Sequence, residues 1–226
     1  AEIPLLSLSS GFYTGAQTCS LLPSSNCASC VAHYTTNGDI PDISDPVFPG
    51  TLSINHTQTI RVRNFVNGFM PSRVLTNLYV IDEDIQLPVF SITTDSLNLW
   101  DYNTGIYVLG PPSNYTNVYP YKGANFWQDW KKPANVEFFD ASKYKPFPSF
   151  DCDISIYGNY SRAKPQKSLE LGLADRFGTG SIRYNFITDK PWLDETDDII
   201  IRNAGTDWNK VHFRDAFMER VLKSTH

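Results

Sequence analysis

Two Asn-Gly dipeptides, Asn37-Gly38 and Asn67-Gly68, constrain the first third of this 226-residue chain more than any other feature. Asn-Gly supplies the left-handed backbone that tight turns need, and each dipeptide follows a short run with β character. Val31–Thr36 leads into the first turn. Thr59–Val66 leads into the second, with Ile60 and Val62 on one face and Arg61 and Arg63 on the other. Gln17–Leu22, Thr51–Ile54 and Val74–Ile81 are three more strand-like runs. Short strands recurring roughly every eight to twelve residues, with turn chemistry between them, predict an antiparallel β-sandwich. It is expected to occupy residues 1–84, closing at the polar joint Asp82-Glu83-Asp84.

Residues 85–226 read as a second, α+β module. Leu87–Thr93, Ile106–Leu109, Ala134–Phe139, Asp153–Tyr157, Lys167–Leu173 and Asp198–Arg202 are strand-like. Ser96–Asp101 has room for one helical turn, and 110–122 is a loop rich in Pro, Asn and Tyr. One longer helix is expected over Lys210–Lys223, where Phe213, Phe217 and Val221 repeat every fourth residue and Val211 and Ala216 widen the stripe. Asp207 or Asn209 is placed to cap it.

Composition narrows the partners. The net charge of −5 argues against a non-specific nucleic-acid binder and a polybasic membrane anchor. No apolar run approaches the roughly 18–20 residues that span a bilayer. Asn55, Asn114 and Asn159 each begin an N-x-S/T sequon, and Cys19, Cys27 and Cys30 cluster while Cys152 stands apart. Cys27-Ala28-Ser29-Cys30 has redox or zinc spacing, yet no second pair or histidine couple follows at zinc distance. Structural disulfide chemistry near Cys19–Cys30 is expected, with Cys152 either free or the fourth partner. These features fit a secreted or cell-surface protein.

The residues that carry chemistry lie in Ile154–Glu170 and Ile201–Arg220. A strand ends at Gly158, Ser161 and Arg162 follow, and a lysine-bearing strand then holds Lys167. Such a turn can offer backbone N–H groups and a hydroxyl to phosphate, and Lys167 can supply positive charge. The plainer alternatives are an ordinary hairpin loop and a surface lysine. Arg162 could clamp phosphate or pair with an acid such as Asp153. Asn203, Asp207, Arg214 and Asp215 form a second polar group, with Arg202 beside it. Glu219, one helical turn beyond Asp215, could pair with Lys167 as kinase logic requires. Four dispersed histidines make no metalloprotease motif or triad, and no catalytic residue or metal ligand is assigned. Trp127, Trp130 and the tyrosines of Tyr115–Tyr121 are candidates for a carbohydrate-stacking surface, although core or loop packing explains most of them.

Two resemblances join these readings. LPVFSITTD (Leu87–Asp95), GIYV (Gly105–Val108), NFWQDWKKPANVEFFD (Asn125–Asp140), ISIYGNYSRAKPQKSLE (Ile154–Glu170) and IRNAGTDWNKVHFRDAFMER (Ile201–Arg220) resemble the CotH kinase family. SGFYTGAQTCSL, HYTTNGDIPDISDPVFPGTLSI and TQTIRVRNFVNGFMPSRVLTNLYVID resemble the immunoglobulin-like β-sandwich at the C-terminus of chitobiase-type hexosaminidases, usually an accessory module. The first implies a kinase-N-lobe-like antiparallel sheet with one main helix. It also implies ATP and Mg²⁺ as cofactors and a secreted or surface protein as substrate, with Lys167, Ser161, Arg162, Gly158, Arg214 and Glu219 around the nucleotide. In that family the base and the metal-binding carboxylate follow the helix, and no D-x-x-x-x-N is found there. A phosphate site without the full catalytic set is therefore the expectation. The alternative is an extracellular structural, adhesive or filament-forming protein that uses both modules for self-association.

Overall fold

The Asn-Gly turns form as the sequence requires: Gly38 and Gly68 have φ of 92° and 78°. At Gly38 the need is doubly strict, because a Cβ there would lie 2.8 Å from the Thr94 carbonyl oxygen. The computed structural model describes residues 1–23, 27, 29–178, 180–188, 190–207 and 209–224, with Asp175, Thr206, Asp215, Glu219 and Ser224 described by backbone alone. The chain is β-rich and divides into two compact units, 1–96 with 134–150, and 97–133 with 151–226. The expected joint at Asp82–Asp84 thus falls inside the first unit. No helix among the described residues is long and apolar enough to cross a membrane.

The first unit contains β1 (Leu5–Leu6), β2 (Gly11–Tyr13), β3 (Gln17–Leu22), β4 (Val31–Thr35), β5 (Thr51–Ile54), β6 (Gln58–Phe65) and β7 (Leu75–Ile81). They make two sheets, β1-β3-β5 and β2-β7-β6-β4. The pairings are antiparallel except for β2 beside β7, which is parallel. Both sheets feed one core: Cys19 and Ile54 from the first, Ala32, Ile60, Val62, Tyr79 and Ile81 from the second, with Phe48. This arrangement is consistent with a β-sandwich. Arg61 lies on the opposite face from Ile60 and Val62, as the alternation requires. It is buried all the same, and its Nη1 donates to the Gly38 carbonyl at 2.8 Å.

Strand β7 serves two cores because its side chains alternate. Tyr79 and Ile81 face the sandwich, while Leu78 and Val80 pack with Phe12, Phe139, Ile85 and Val89. Phe139 and Val89 come from the antiparallel pair β8 (Val89–Thr93) and β9 (Lys132–Phe139). Glu137 of β9 ties this pair to β7 and is 1% exposed. Its Oε2 accepts from Leu78 N at 2.7 Å, and its Oε1 accepts from Ser10 Oγ and from Lys145 Nζ, the latter at 2.9 Å.

In the second unit β10 (Phe150–Tyr157), β11 (Ser168–Gly172) and β14 (Asp198–Ile201) pair antiparallel in the order β14-β11-β10. Leu171 stands opposite Ile154 on one side and Ile199 on the other. A short antiparallel pair, β12 (Ile182–Arg183) with β13 (Glu195–Thr196), was not anticipated. Ile106–Leu109 is not a strand. Ile106 N and Tyr107 N donate to the carbonyls of Asn98 and Leu99, at the one-turn helix α1 (Ser96–Trp100), so those amides join no ladder. The longer helix α2 spans Arg214–Ser224 and begins later than Lys210. Phe213, just ahead of the helix, and Phe217 within it are 62% and 56% exposed, where periodicity alone suggested a buried face.

Removing a buried acceptor strands every group that donates to it. Glu137→Ala should therefore destabilise the first unit by roughly 2–4 kcal/mol in denaturant unfolding, and Glu137→Gln, which keeps a neutral acceptor, by about 1 kcal/mol.

Candidate phosphate site

Strand β10 ends in a turn that only glycine tolerates. Gly158 has φ of 106°, and a Cβ there would run into Ser161 Oγ. The chain then makes a 3-10 turn over Tyr160–Ala163 before β11 begins at Ser168. Arg162 fastens this turn. Its Nε donates to the Gly158 carbonyl at 2.6 Å, and its Nη1 reaches the carbonyls of Phe126 and Trp127 at 3.4 and 3.3 Å. Asp129 stands 3.6 Å from Arg162 Nη2. Asp153, the acid weighed as its partner, pairs with Arg176 instead.

Lys167 directly precedes β11 and is 8% exposed. Its Nζ donates to the carbonyl oxygens of Arg162 and Lys164 at 2.7 and 3.0 Å. It also lies 4.1 Å from the ring centroid of Phe126 and 5.2 Å from that of Tyr107. No carboxylate among the described residues pairs with it. Tyr107 fixes the backbone at the same place, its hydroxyl accepting from Lys167 N at 2.8 Å. A cleft of about 360 Å³ opens here, walled by Trp100, Tyr107, Tyr121 and Phe126 with Lys164 and Lys167 among its lining. That volume lies in the range of small-molecule sites, which pair apolar walls with a few polar groups.

Three of the expected residues, Gly158, Ser161 and Arg162, thus lie in one turn whose carbonyls hold the fourth, Lys167. Arg214 belongs to a different group. It sits in the first turn of α2, where its Nε bonds Asp207 Oδ2 at 2.9 Å. This is the acidic partner that an arginine at a helix N-terminus calls for. Asp207 ends a 3-10 turn, Gly205–Asp207, rather than capping α2. Glu219 lies in α2 with its side chain outside the described residues, as does that of Asp215. Arg202 is exposed at the end of β14. Among the described residues no group of three or more His, Cys, Asp or Glu gathers as a metal site would require.

Of the aromatic walls, sequence reasoning singled out only Tyr121, for carbohydrate stacking, and overlooked Trp100, Tyr107 and Phe126. Trp100 and Tyr107, with ring centroids 5.1 Å apart, come from α1 and from a segment read as a strand. Trp127 is no open platform: its Nε1 donates to the Pro120 carbonyl at 2.8 Å, and Arg162 lies over its ring. Trp130 is half-buried, with Lys132 Nζ 6.0 Å above it. Tyr119, Tyr121 and Tyr160 cluster at centroid separations of 6.1 and 6.4 Å, and the Tyr119 hydroxyl donates to the Tyr160 carbonyl. Asn55, Asn114 and Asn159 are all exposed. Cys27 and Cys30 form a disulfide with Cα atoms 5.3 Å apart. Cys19 and Cys152 remain as buried free thiols, and desolvation pushes the Cys152 thiol up to about 12.

Burial also moves Lys167, whose pKa falls to about 8 from the usual 10.5. The unfolded chain then binds more protons than the folded one between these values, so folding stability contributed by this group rises with pH across that window. Against Lys167→Met as the reference, the wild-type unfolding free energy should gain up to about 1.4 kcal/mol per pH unit between about pH 8 and 10. Paired denaturant titrations measure it, and a flat difference would place the amine in water.

Residues 8–76 match the family model of the chitobiase/beta-hexosaminidase C-terminal domain. No curated protein matches the chain. The β-sandwich of the first unit is therefore similar to that domain over the matched span.

Proposed function

We propose that the chain belongs to a secreted or cell-surface protein and that its second unit is the phosphate-gripping part of a CotH-like atypical kinase domain. In this reading the chitobiase-C-terminal-like unit is an accessory to it. The observation that carries the proposal is Lys167. A desolvated ammonium with no carboxylate partner among the described residues lines a cleft whose other cation is Lys164. Two carbonyls occupy two of its three donors. A phosphate oxygen is a charged acceptor and makes the stronger hydrogen bond. It can therefore take the remaining donor or displace the Lys164 carbonyl, the longer of the two contacts. The aromatic walls place apolar surface beside the ammonium, which strengthens that attraction relative to open water.

The residues present fit the polyphosphate of ATP better than its metal. Lys167 and Lys164 would face the phosphates, with Arg162 holding the turn that shapes the cleft. Among the described residues no three His, Cys, Asp or Glu gather in a way that could hold Mg²⁺, so no step is assigned to the metal. Bound ATP would supply the transferable phosphoryl group. The resemblance over Leu87–Arg220 and the three exposed sequons support the reading of an extracellular kinase-like protein. Isothermal titration with ATP, with and without Mg²⁺, should detect binding that Lys167→Met weakens at least about tenfold, the loss expected for one charge-assisted hydrogen bond. Equal affinity in the two proteins would remove Lys167 from the site.

One observation favours a second reading, assembly. Phe213, Phe217 and Met218 of the α2 region are all at least half exposed, forming an apolar stripe on a helix. If the stripe joins copies of the chain, sedimentation should show a concentration-dependent oligomer that Phe217→Asp dissociates. A monomer at every concentration would reject this reading.

A further inference from the structure

The turn whose carbonyls hold Lys167 is itself held from β14. Asn203, just beyond that strand, is 3% exposed, and its side chain fills all four of its hydrogen-bonding positions. Its Oδ1 accepts from Ser168 Oγ at 3.0 Å and from Gly205 N at 2.9 Å. Its Nδ2 donates to the Gln166 carbonyl at 2.6 Å and to the Ser161 carbonyl at 3.4 Å. The backbone closes the set, with Asn203 N donating to Ser168 Oγ at 3.0 Å. Ala204 and Gly205 then adopt φ of 64° and 54°, which returns the Gly205 amide to the side chain.

The placement of these bonds is specific. Gln166 and Ser168 are the two chain neighbours of Lys167, so Asn203 holds the Gln166 carbonyl on one side of the lysine and the Ser168 hydroxyl on the other. Ser161 lies in the turn whose Arg162 and Lys164 carbonyls accept the ammonium. We propose that Asn203 is the positioning residue of Lys167: its amide sets the distance between β11 and the 160–164 turn, and so holds the ammonium at the cleft. The proposal deepens the reading of Lys167 as the phosphate ligand, on which its functional meaning rests. Protein groups already use the whole Asn203 amide, so its role is to hold the lysine's surroundings.

The test is residue-by-residue amine acetylation of the full chain with an N-hydroxysuccinimide acetate, read by peptide mass spectrometry with no nucleotide present. Lys167 should label slowly beside the exposed Lys122. In Asn203→Asp, which keeps the acceptor oxygen and loses both amide donors, Lys167 should label about tenfold faster. Lys145 in the first unit should keep its wild-type rate. Lys167 labelling at its wild-type rate in Asn203→Asp would overturn the proposal. If circular dichroism shows that this variant fails to fold, Ser168→Ala decides with the same two outcomes, since it removes the hydroxyl that bonds both Asn203 Oδ1 and Asn203 N. Failure of ATP to bind the wild-type chain would sink the phosphate reading and leave this result standing, because the labelling needs no ligand.

Discussion

An ammonium out of water must be hydrogen-bonded or it will give up its proton. Lys167 meets that condition with two backbone carbonyls and two aromatic faces. The local architecture of the second unit follows from this solution. Carbonyls can converge on one amine only if the chain curls tightly, hence the left-handed Gly158 and the 3-10 turn after it. A tight turn leaves further carbonyls pointing outward, and Arg162 and Asn203 take up those of Gly158, Ser161 and Gln166. The same groups that satisfy the cation therefore also shape one side of the cleft.

The first unit handles a buried charge of opposite sign in a similar way. Glu137 accepts from a strand amide, a hydroxyl and a lysine, and so links β9 to the face of β7 turned away from the sandwich core. In both units the charge is matched to main-chain groups as well as side chains. Such bonds specify register more sharply than apolar contacts do, because a shift of one residue would strand the charge.

Strands with local signals could be read from the sequence, and long-range consequences could not. The alternation of Thr59–Val66 and the two Asn-Gly turns located β4, β6 and the sandwich, because period and turn chemistry are properties of neighbouring residues. Ile106–Leu109 misled for the same reason: it has strand composition, yet its amides are claimed by the carbonyls of α1. The apolar repeat Phe213, Phe217, Val221 correctly marked a helical stripe, but periodicity says nothing about what covers it. At the site, Gly158, Ser161, Arg162 and Lys167 were grouped through the family resemblance, while the residues alone read equally as a hairpin loop and a surface lysine. Trp100 and Tyr107 were not, since they lie some sixty residues upstream and meet the lysine only through the fold. Asn203 was visible as a polar residue, and its use of all four amide positions emerges only when Ser161, Gln166, Ser168 and Gly205 are brought around it.

The proposed phosphate recognition by Lys167 is most directly tested at the lysine nitrogen itself. Lysine-selective ¹⁵N NMR of the native chain, titrated with a non-hydrolysable ATP analogue, reports the ammonium without mutation. If Lys167 grips phosphate, its Nζ resonance moves with saturable dependence on the analogue while that of the exposed Lys122 stays in place. A Lys167 signal that does not move while the analogue binds elsewhere, or that never responds at all, would mean that the lysine serves only to staple the turn.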